Sequence, residues 1–169
     1  MIWLRALSFF LLAPAMVLGV LPYRIVGGEQ RLEVVFDVAT YVGLMLMVAG
    51  VAGLLWCFVL FVQRGRGTPA PYDPPRALVA EGPYTVSRNP MYVCLWLTLS
   101  GEVLVARSGP LTAYAAMIVV STVLFVRLYE EPSLRQRFGA DYDAYRARVP
   151  RWLGRPRVSG PVDGSGPAT

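Results

Sequence analysis

Three short polar clusters border apolar stretches, and each holds side chains that can bind charge. The first is Gly82-Pro83-Tyr84-Thr85-Val86-Ser87-Arg88-Asn89-Pro90-Met91-Tyr92, which brings a guanidinium, an amide and two phenols to the start of an apolar run. The second, Arg127-Leu128-Tyr129-Glu130-Glu131, sets a cation and two adjacent carboxylates at the end of another. The third runs from Phe138-Gly139 through Tyr142, Tyr145, Arg146 and Arg148 to Val149-Pro150. The chain has no His, so the commonest general base and the commonest zinc ligand are both absent, and no metal is expected. Cys57 and Cys94 lie inside apolar runs and read as small buried hydrophobes rather than a disulfide. A plain structural account of the clusters stands beside the chemical one. Arg88 and Arg127 can snorkel, and Glu130 can pair with Arg127 in the last helical turn.

The elements that must position these groups are apolar helices. Of 169 residues, 55% are hydrophobic and 16% charged, against about 45–50% and about 25% in soluble domains. The net charge is +5, and every basic residue is Arg. That balance suits an anionic membrane surface; with the apolar runs beside it, a nucleic-acid partner is not expected. Four runs are apolar: Ala6 to Tyr23, Val34 to Val62, Met91 to Ala106 and Pro110 to Tyr129. Backbone in hydrocarbon must satisfy its own hydrogen bonds, so each is expected to be a spanning helix. About 20 residues suffice to span, so the second run must tilt or protrude. Ala13-Pro14-Ala15 resembles a signal-peptidase site, but the run continues past it. Ala15 with Gly19, and Ala49 with Gly53, have the spacing that lets helix backbones approach. Ser108-Gly109-Pro110 reads as the tight turn of an antiparallel hairpin.

The predicted fold is therefore an all-α integral membrane protein with about four transmembrane helices and a C-terminal cytoplasmic amphipathic segment. Arg64, Arg66, Arg76 and Arg88 lie between the second and third runs, and seven Arg follow the fourth. The positive-inside rule then puts both termini, the central loop and the tail in the cytoplasm, as a multi-pass protein of the cell membrane. Prolines at 69, 71, 74, 75, 83 and 90 exclude a long helix in the central loop. Leu134, Phe138, Tyr142, Tyr145 and Val149 recur at three- and four-residue steps, an apolar stripe for the membrane face or the bundle, with Gly139 as a break. Three parts follow: a helix pair over 1–62, a loop, hairpin and C-terminal core over 63–153, and a disordered tail over 154–169 rich in Gly, Pro and Ser. Glu102, inside the third run, reads as a snorkelling residue before a functional one.

Taken in order, Gly82-Pro83-Tyr84, Arg88-Asn89-Pro90 with Tyr92, Glu130-Glu131, Phe138-Gly139 with Tyr142 and Tyr145, and Val149-Pro150 resemble the isoprenylcysteine carboxyl methyltransferase family. The related phospholipid methyltransferases share the Glu-Glu pair. The resemblance covers Leu78 to Leu153. It implies a membrane enzyme that uses S-adenosylmethionine and methylates a lipophilic, membrane-partitioned substrate, such as a prenylated or isoprenoid carboxylate. Tyr84, Asn89, Pro90, Tyr92, Glu130 and Glu131 would then hold the cofactor. Arg88 and Arg127 would orient charge at the reaction centre, Arg88 on the cofactor's carboxylate and Arg127 on an anionic substrate group. Tyr84, Tyr92 or Trp96 would face the sulfonium. One residue departs from the pattern: the family's Arg-His-Pro is Arg88-Asn89-Pro90 here. Asn donates and accepts hydrogen bonds but carries no proton at neutral pH, so Asn89 suits a contact rather than an acid or base. Methyl transfer from a sulfonium to a carboxylate needs alignment and exclusion of water more than a base. Two other functions fit parts of the pattern: an NADPH-dependent reductase of the sterol type, which Glu130-Glu131 disfavours beside a 2′-phosphate, and a non-catalytic membrane accessory subunit.

Overall fold

The computed structural model describes residues 13–28, 35–65 and 77–154, and these are helical with no strand among them. The elements are α1 (Ala13–Gly27), α2 (Val38–Gly65), a 3₁₀ turn (Gly82–Thr85), α3 (Pro90–Ala106), α4 (Gly109–Phe125) and α5 (Glu131–Arg148). A π-helical turn, Val126–Glu130, joins α4 to α5 without a break. The helical sequence expectation holds. The apolar spans Val38–Arg64 and Gly109 onward are long and apolar enough to cross a membrane, whereas α1 and the 17-residue α3 are apolar but shorter. Four full spans are therefore more than these lengths support. The prolines at 69, 71, 74 and 75, the start of the first run before Ala13 and the tail beyond Gly154 lie outside the described residues. So do Arg66, Arg76, Arg155 and Arg157.

The tightest packing joins α2 to α3 through glycine. A Cβ on Gly43 would sit 2.8 Å from the Gly101 carbonyl, and one on Gly50 would sit 2.3 Å from Thr98 Oγ1 and 2.8 Å from the Cys94 carbonyl. Gly53 leaves room for the Cys94 sulfur in the same way, 2.6 Å from where its Cβ would stand. Small residues thus bring two backbones together where lipid offers no hydrophobic drive. The seam is Gly43, Gly50 and Gly53, so of the two expected pairs only Gly53 takes part. Gly19 faces open space and Ala49 is exposed.

The α3–α4 turn is shorter than the sequence suggested, because Gly109 and Pro110 already belong to α4. Arg107 takes a left-handed conformation (φ 52°) and closes α3, its N–H donating to the Val103 carbonyl at 2.8 Å. Ser108 then caps α4, its Oγ accepting from the Leu111 N–H at 3.1 Å. Asp37 caps α2 through the Thr40 N–H and pairs with the Arg107 guanidinium, so one carboxylate fastens both helix ends. The hairpin is antiparallel: Trp96 Nε1 donates to Thr122 Oγ1 at 3.0 Å, and farther down Tyr92 Oη donates to Glu130 Oε2 at 3.0 Å.

Helix α1 closes one side. Its Met16–Val20 stretch is π-helical, with the Leu21 N–H donating to the Met16 carbonyl. In that register the next donor would be residue 22, which is proline and has none. Tyr114 of α4 fills the gap, donating its hydroxyl to the Val17 carbonyl at 2.9 Å. This bond ties α1 to α4 above a cluster of Val26, Leu99, Leu111 and Tyr114.

Candidate functional site

The three polar clusters of the sequence meet at one end of the helices. Pro90 opens α3 at a position where its missing N–H costs nothing, and Asn89 precedes it. Gly82 (φ 56°) starts the 3₁₀ turn that lowers Tyr84 against Cys57 and Val79. From the other side α5 folds back. Gly139 breaks its regular path (φ 51°, ψ −122°), as its position in the sequence suggested. The stripe Leu134, Phe138, Tyr142, Tyr145 and Val149 packs on itself and on Leu78, so it serves the bundle.

Hydrogen bonds then sew the segment after α5 onto the turn before α3. The Arg88 N–H donates to the Pro150 carbonyl at 2.9 Å, and Tyr145 Oη donates to the Tyr84 carbonyl at 2.7 Å. Asn89 Nδ2 donates to the Arg151 carbonyl at 3.0 Å, and Ser87 Oγ donates to the same oxygen at 3.3 Å. Trp152 packs against Trp96 with ring centres 4.5 Å apart and the rings tilted by 43°. The side chain at position 89 must supply a donor here, and an amide does so without a titratable proton.

Glu131 lies at the centre of a buried ion cluster. Arg151 grips it with both ends of its guanidinium, Nε to Oε1 at 2.9 Å and Nη2 to Oε2 at 2.6 Å. Arg88 Nη1 reaches Oε1 at 2.9 Å and also donates to Tyr142 Oη at 3.2 Å. The Arg88 and Glu131 side chains are only 7% and 11% exposed. Glu131 stands in the polar helix α5, beyond the apolar segment that ends near Tyr129. Burial opposes its charge, but the Arg151 hydrogen bonds and the Arg88 charge outweigh it and hold the carboxyl below its usual range. The same pairing raises the Arg151 guanidinium.

A cavity of about 410 Å³ opens beside this cluster. Its polar wall includes Tyr84, Arg88, Asn89, Tyr92, Glu130 and Arg137. Its apolar wall includes Val17, Leu54, Leu95 and Ile118, from four different helices. Among the described residues three buried side-chain atoms meet no hydrogen-bond partner, Tyr84 Oη, Arg88 Nε and Glu102 Oε2, and the first two belong to residues of the cavity wall. Burial pushes the Tyr84 hydroxyl well above its ordinary range, so it stays protonated. Buried polar atoms without partners are costly, and two of them in residues of one cavity wall make that wall the candidate ligand site.

The sequence-predicted residues separate into three groups. Tyr84, Arg88, Asn89, Pro90, Tyr92 and Glu130 all line the cavity. Glu131 does not; its carboxylate is turned away into the two arginines. Arg127 does not join them either, because it is exposed outside the cavity wall. Trp96 is also outside the wall, bonded to Thr122 and covered by Trp152. Three contributors were not anticipated from sequence. Arg137 and Ser133 line the cavity from α5, at seven and three residues beyond Glu130, a helical spacing the sequence does contain. Arg151 supplies the strongest contact to Glu131, and its distance from the other motifs in the chain gave no sign of it. Among the described residues no three His, Cys, Asp or Glu side chains come together to hold a metal ion.

The chain is 29% identical over 123 residues to the nickel-cobalt-cadmium resistance protein NccN of Alcaligenes xylosoxydans xylosoxydans. That match takes in 70% of this chain, which spans about half the length of NccN (50%). No solved structure matches. Residues 68–141 match the family described as phospholipid methyltransferase, a stretch that takes in the 3₁₀ turn, the α3–α4 hairpin and the Glu130-Glu131 pair.

Proposed function

We propose that the protein transfers a methyl group from S-adenosylmethionine to a lipophilic substrate that partitions into the membrane, of the isoprenylcysteine-carboxylate type or similar. The observation that carries this reading is the pair of buried, unpartnered polar atoms, Tyr84 Oη and Arg88 Nε, on a cavity whose other wall is apolar. A zwitterionic cofactor fits the polar wall. Arg88 Nε and Tyr84 Oη suit its carboxylate, Glu130 suits its ammonium or ribose hydroxyls, and the Tyr92 ring suits its sulfonium. When bound, S-adenosylmethionine supplies a methyl group on an already activated leaving group. The chain's own share is then positional. The Arg88–Glu131–Arg151 cluster fixes the polar wall, and the apolar wall admits a hydrocarbon body while keeping water out. A carboxylate acceptor needs no proton removed, which agrees with a chain that has no His. Orientation with both termini cytoplasmic would let the cofactor enter from the aqueous side and the acceptor from the bilayer.

Binding of S-adenosylhomocysteine to the purified protein tests the cofactor half, and methyl transfer from radiolabelled S-adenosylmethionine into a lipid extract tests the acceptor half. Micromolar binding that weakens at least tenfold in Glu130→Gln, with the fold intact, is the expected result. No binding to the wild-type chain, or equal binding to the variant, would sink the assignment of this cavity.

A further inference from the structure

Two thiols meet at the α2–α3 seam and have no part in the methyl-transfer reading. Cys57 of α2 is fully buried, in a cluster with Val79 and Tyr84. Cys94 of α3 presses its sulfur onto Gly53, 2.6 Å from where a Cβ there would stand. Gly53 lies four residues before Cys57, so that sulfur meets α2 on the face that carries the Cys57 side chain. The two thiols interact across the seam, and both lie within electrostatic reach of the Tyr84 hydroxyl. Neither is in a disulfide. Met91, three residues before Cys94 on α3, packs against the Cys57–Val79–Tyr84 cluster and also lines the cavity. Three sulfur-bearing side chains from two helices thus gather behind one stretch of the cavity wall.

We propose that Cys57, Cys94 and Met91 form a binding site for a soft monovalent metal ion of the Cu(I) type. Thiolate and thioether ligands select such an ion, whereas hard ions call for carboxylate, carbonyl or water oxygens. Among the described residues no three His, Cys, Asp or Glu come together, so the set is completed by a thioether, which only a soft ion accepts. Charge points the same way. An apolar setting penalises net charge. One thiol proton leaves to water as one metal–thiolate bond forms, and the cation and the thiolate then cancel. The second thiol and the thioether join through sulfur lone pairs as neutral donors, and no electron is transferred. Met91, on the cavity wall, gives the ion its way in. The site needs no S-adenosylmethionine, so it stands apart from the methyl-transfer reading.

Competition with bicinchoninate for Cu(I), under anaerobic reducing conditions and on the detergent-solubilised full chain, tests this. Wild type should withdraw one Cu(I) per chain from the chelator. Loss of an outer-shell partner of a metal costs about 10–100-fold in affinity, and a direct ligand counts for more. Cys57→Ala and Cys94→Ala should therefore each weaken binding by about a hundredfold or more, and Met91→Leu, which loses the weakest donor, by about tenfold. Copper-edge X-ray absorption on the wild-type complex reads the ligands without any variant, and it should show sulfur neighbours alone. Withdrawal of no ion, or of two with independent affinities, overturns the proposal. Nitrogen or oxygen coordination overturns it as well, and so does wild-type affinity in any of the three variants.

Discussion

Arg88 Nη1 and Glu131 Oε1 lie 2.9 Å apart, although a whole helical hairpin separates them in the chain. The contact is buried and shared with Arg151, so it fixes the start of α3 to the start of α5 and to the segment that follows it. Removing one partner of a buried ion pair leaves the other charge uncompensated.

Glu131→Gln should therefore destabilise the protein by about 3–5 kcal/mol, as for other buried pairs that lose one member. Arg151→Gln should cost less, because the Arg151 side chain is 28% exposed and Arg88 still neutralises the carboxylate. Thermal unfolding in detergent gives both values. Equal stability of wild type and Glu131→Gln would mean that the cluster is not holding the fold.

The same group fixes an acid limb. The Glu131 carboxyl is held below its unfolded-state value, so the folded state releases its proton more readily than the unfolded chain. Its contribution is then fully present above the ordinary carboxylate range and is lost as pH falls through the lower, folded-state value. Stability should change little from pH 7 to about 5 and decline below that. Glu131→Gln should flatten the decline, and an unaltered acid limb in that variant would assign it to other groups.

Position 89 shows what was legible in the sequence and what was not. The ordered motifs correctly brought Arg88, Asn89 and Tyr92 to one wall with Glu130, because a turn–helix–helix pattern leaves the two ends of a hairpin together. The role of Asn89 was not legible. It lines the cavity, yet its amide is also spent on the Arg151 carbonyl, a residue with no motif of its own. Asn89→Ala should cost about 1–3 kcal/mol by leaving that contact unmade. Asn89→His should recover part of the loss, since a ring N–H can donate to the same oxygen. A histidine variant no more stable than the alanine one would mean that the donor is not what the position requires.

Glycine contacts within the bundle were legible only as spacing. A four-residue step is common in apolar helices, and only the partner helix decides which step is used. Gly50→Ala would place a methyl 2.3 Å from Thr98 Oγ1 and 2.8 Å from backbone atoms of α3, so the helices must part. Overpacking of this kind costs about 1–3 kcal/mol. Gly19→Ala meets nothing within 4 Å and should be neutral or mildly stabilising. Comparable melting temperatures for the two variants would contradict this seam.

The length of α3 was legible, but not what it means for spanning: the apolar run Met91 to Ala106 becomes a 17-residue helix, Pro90–Ala106, shorter than the about 20 residues that span, and the left-handed cap at Arg107 and Asp37 fix its end. The pull of a short helix on its longer neighbours is a property of the assembled bundle, and a hydropathy window does not carry it.

The wide turn at Val126–Glu130 has a consequence for two neighbouring acids. A regular α-helix advances about 100° per residue, so a turn that absorbs one extra residue re-aims everything after it by about that angle. Glu130 can then serve the hollow while Glu131, next to it, braces the wall from behind. Deleting a single residue from this turn would leave the composition of the acidic pair intact, bring Glu131 to the direction Glu130 now takes and swing Glu130 about 100° away from the hollow.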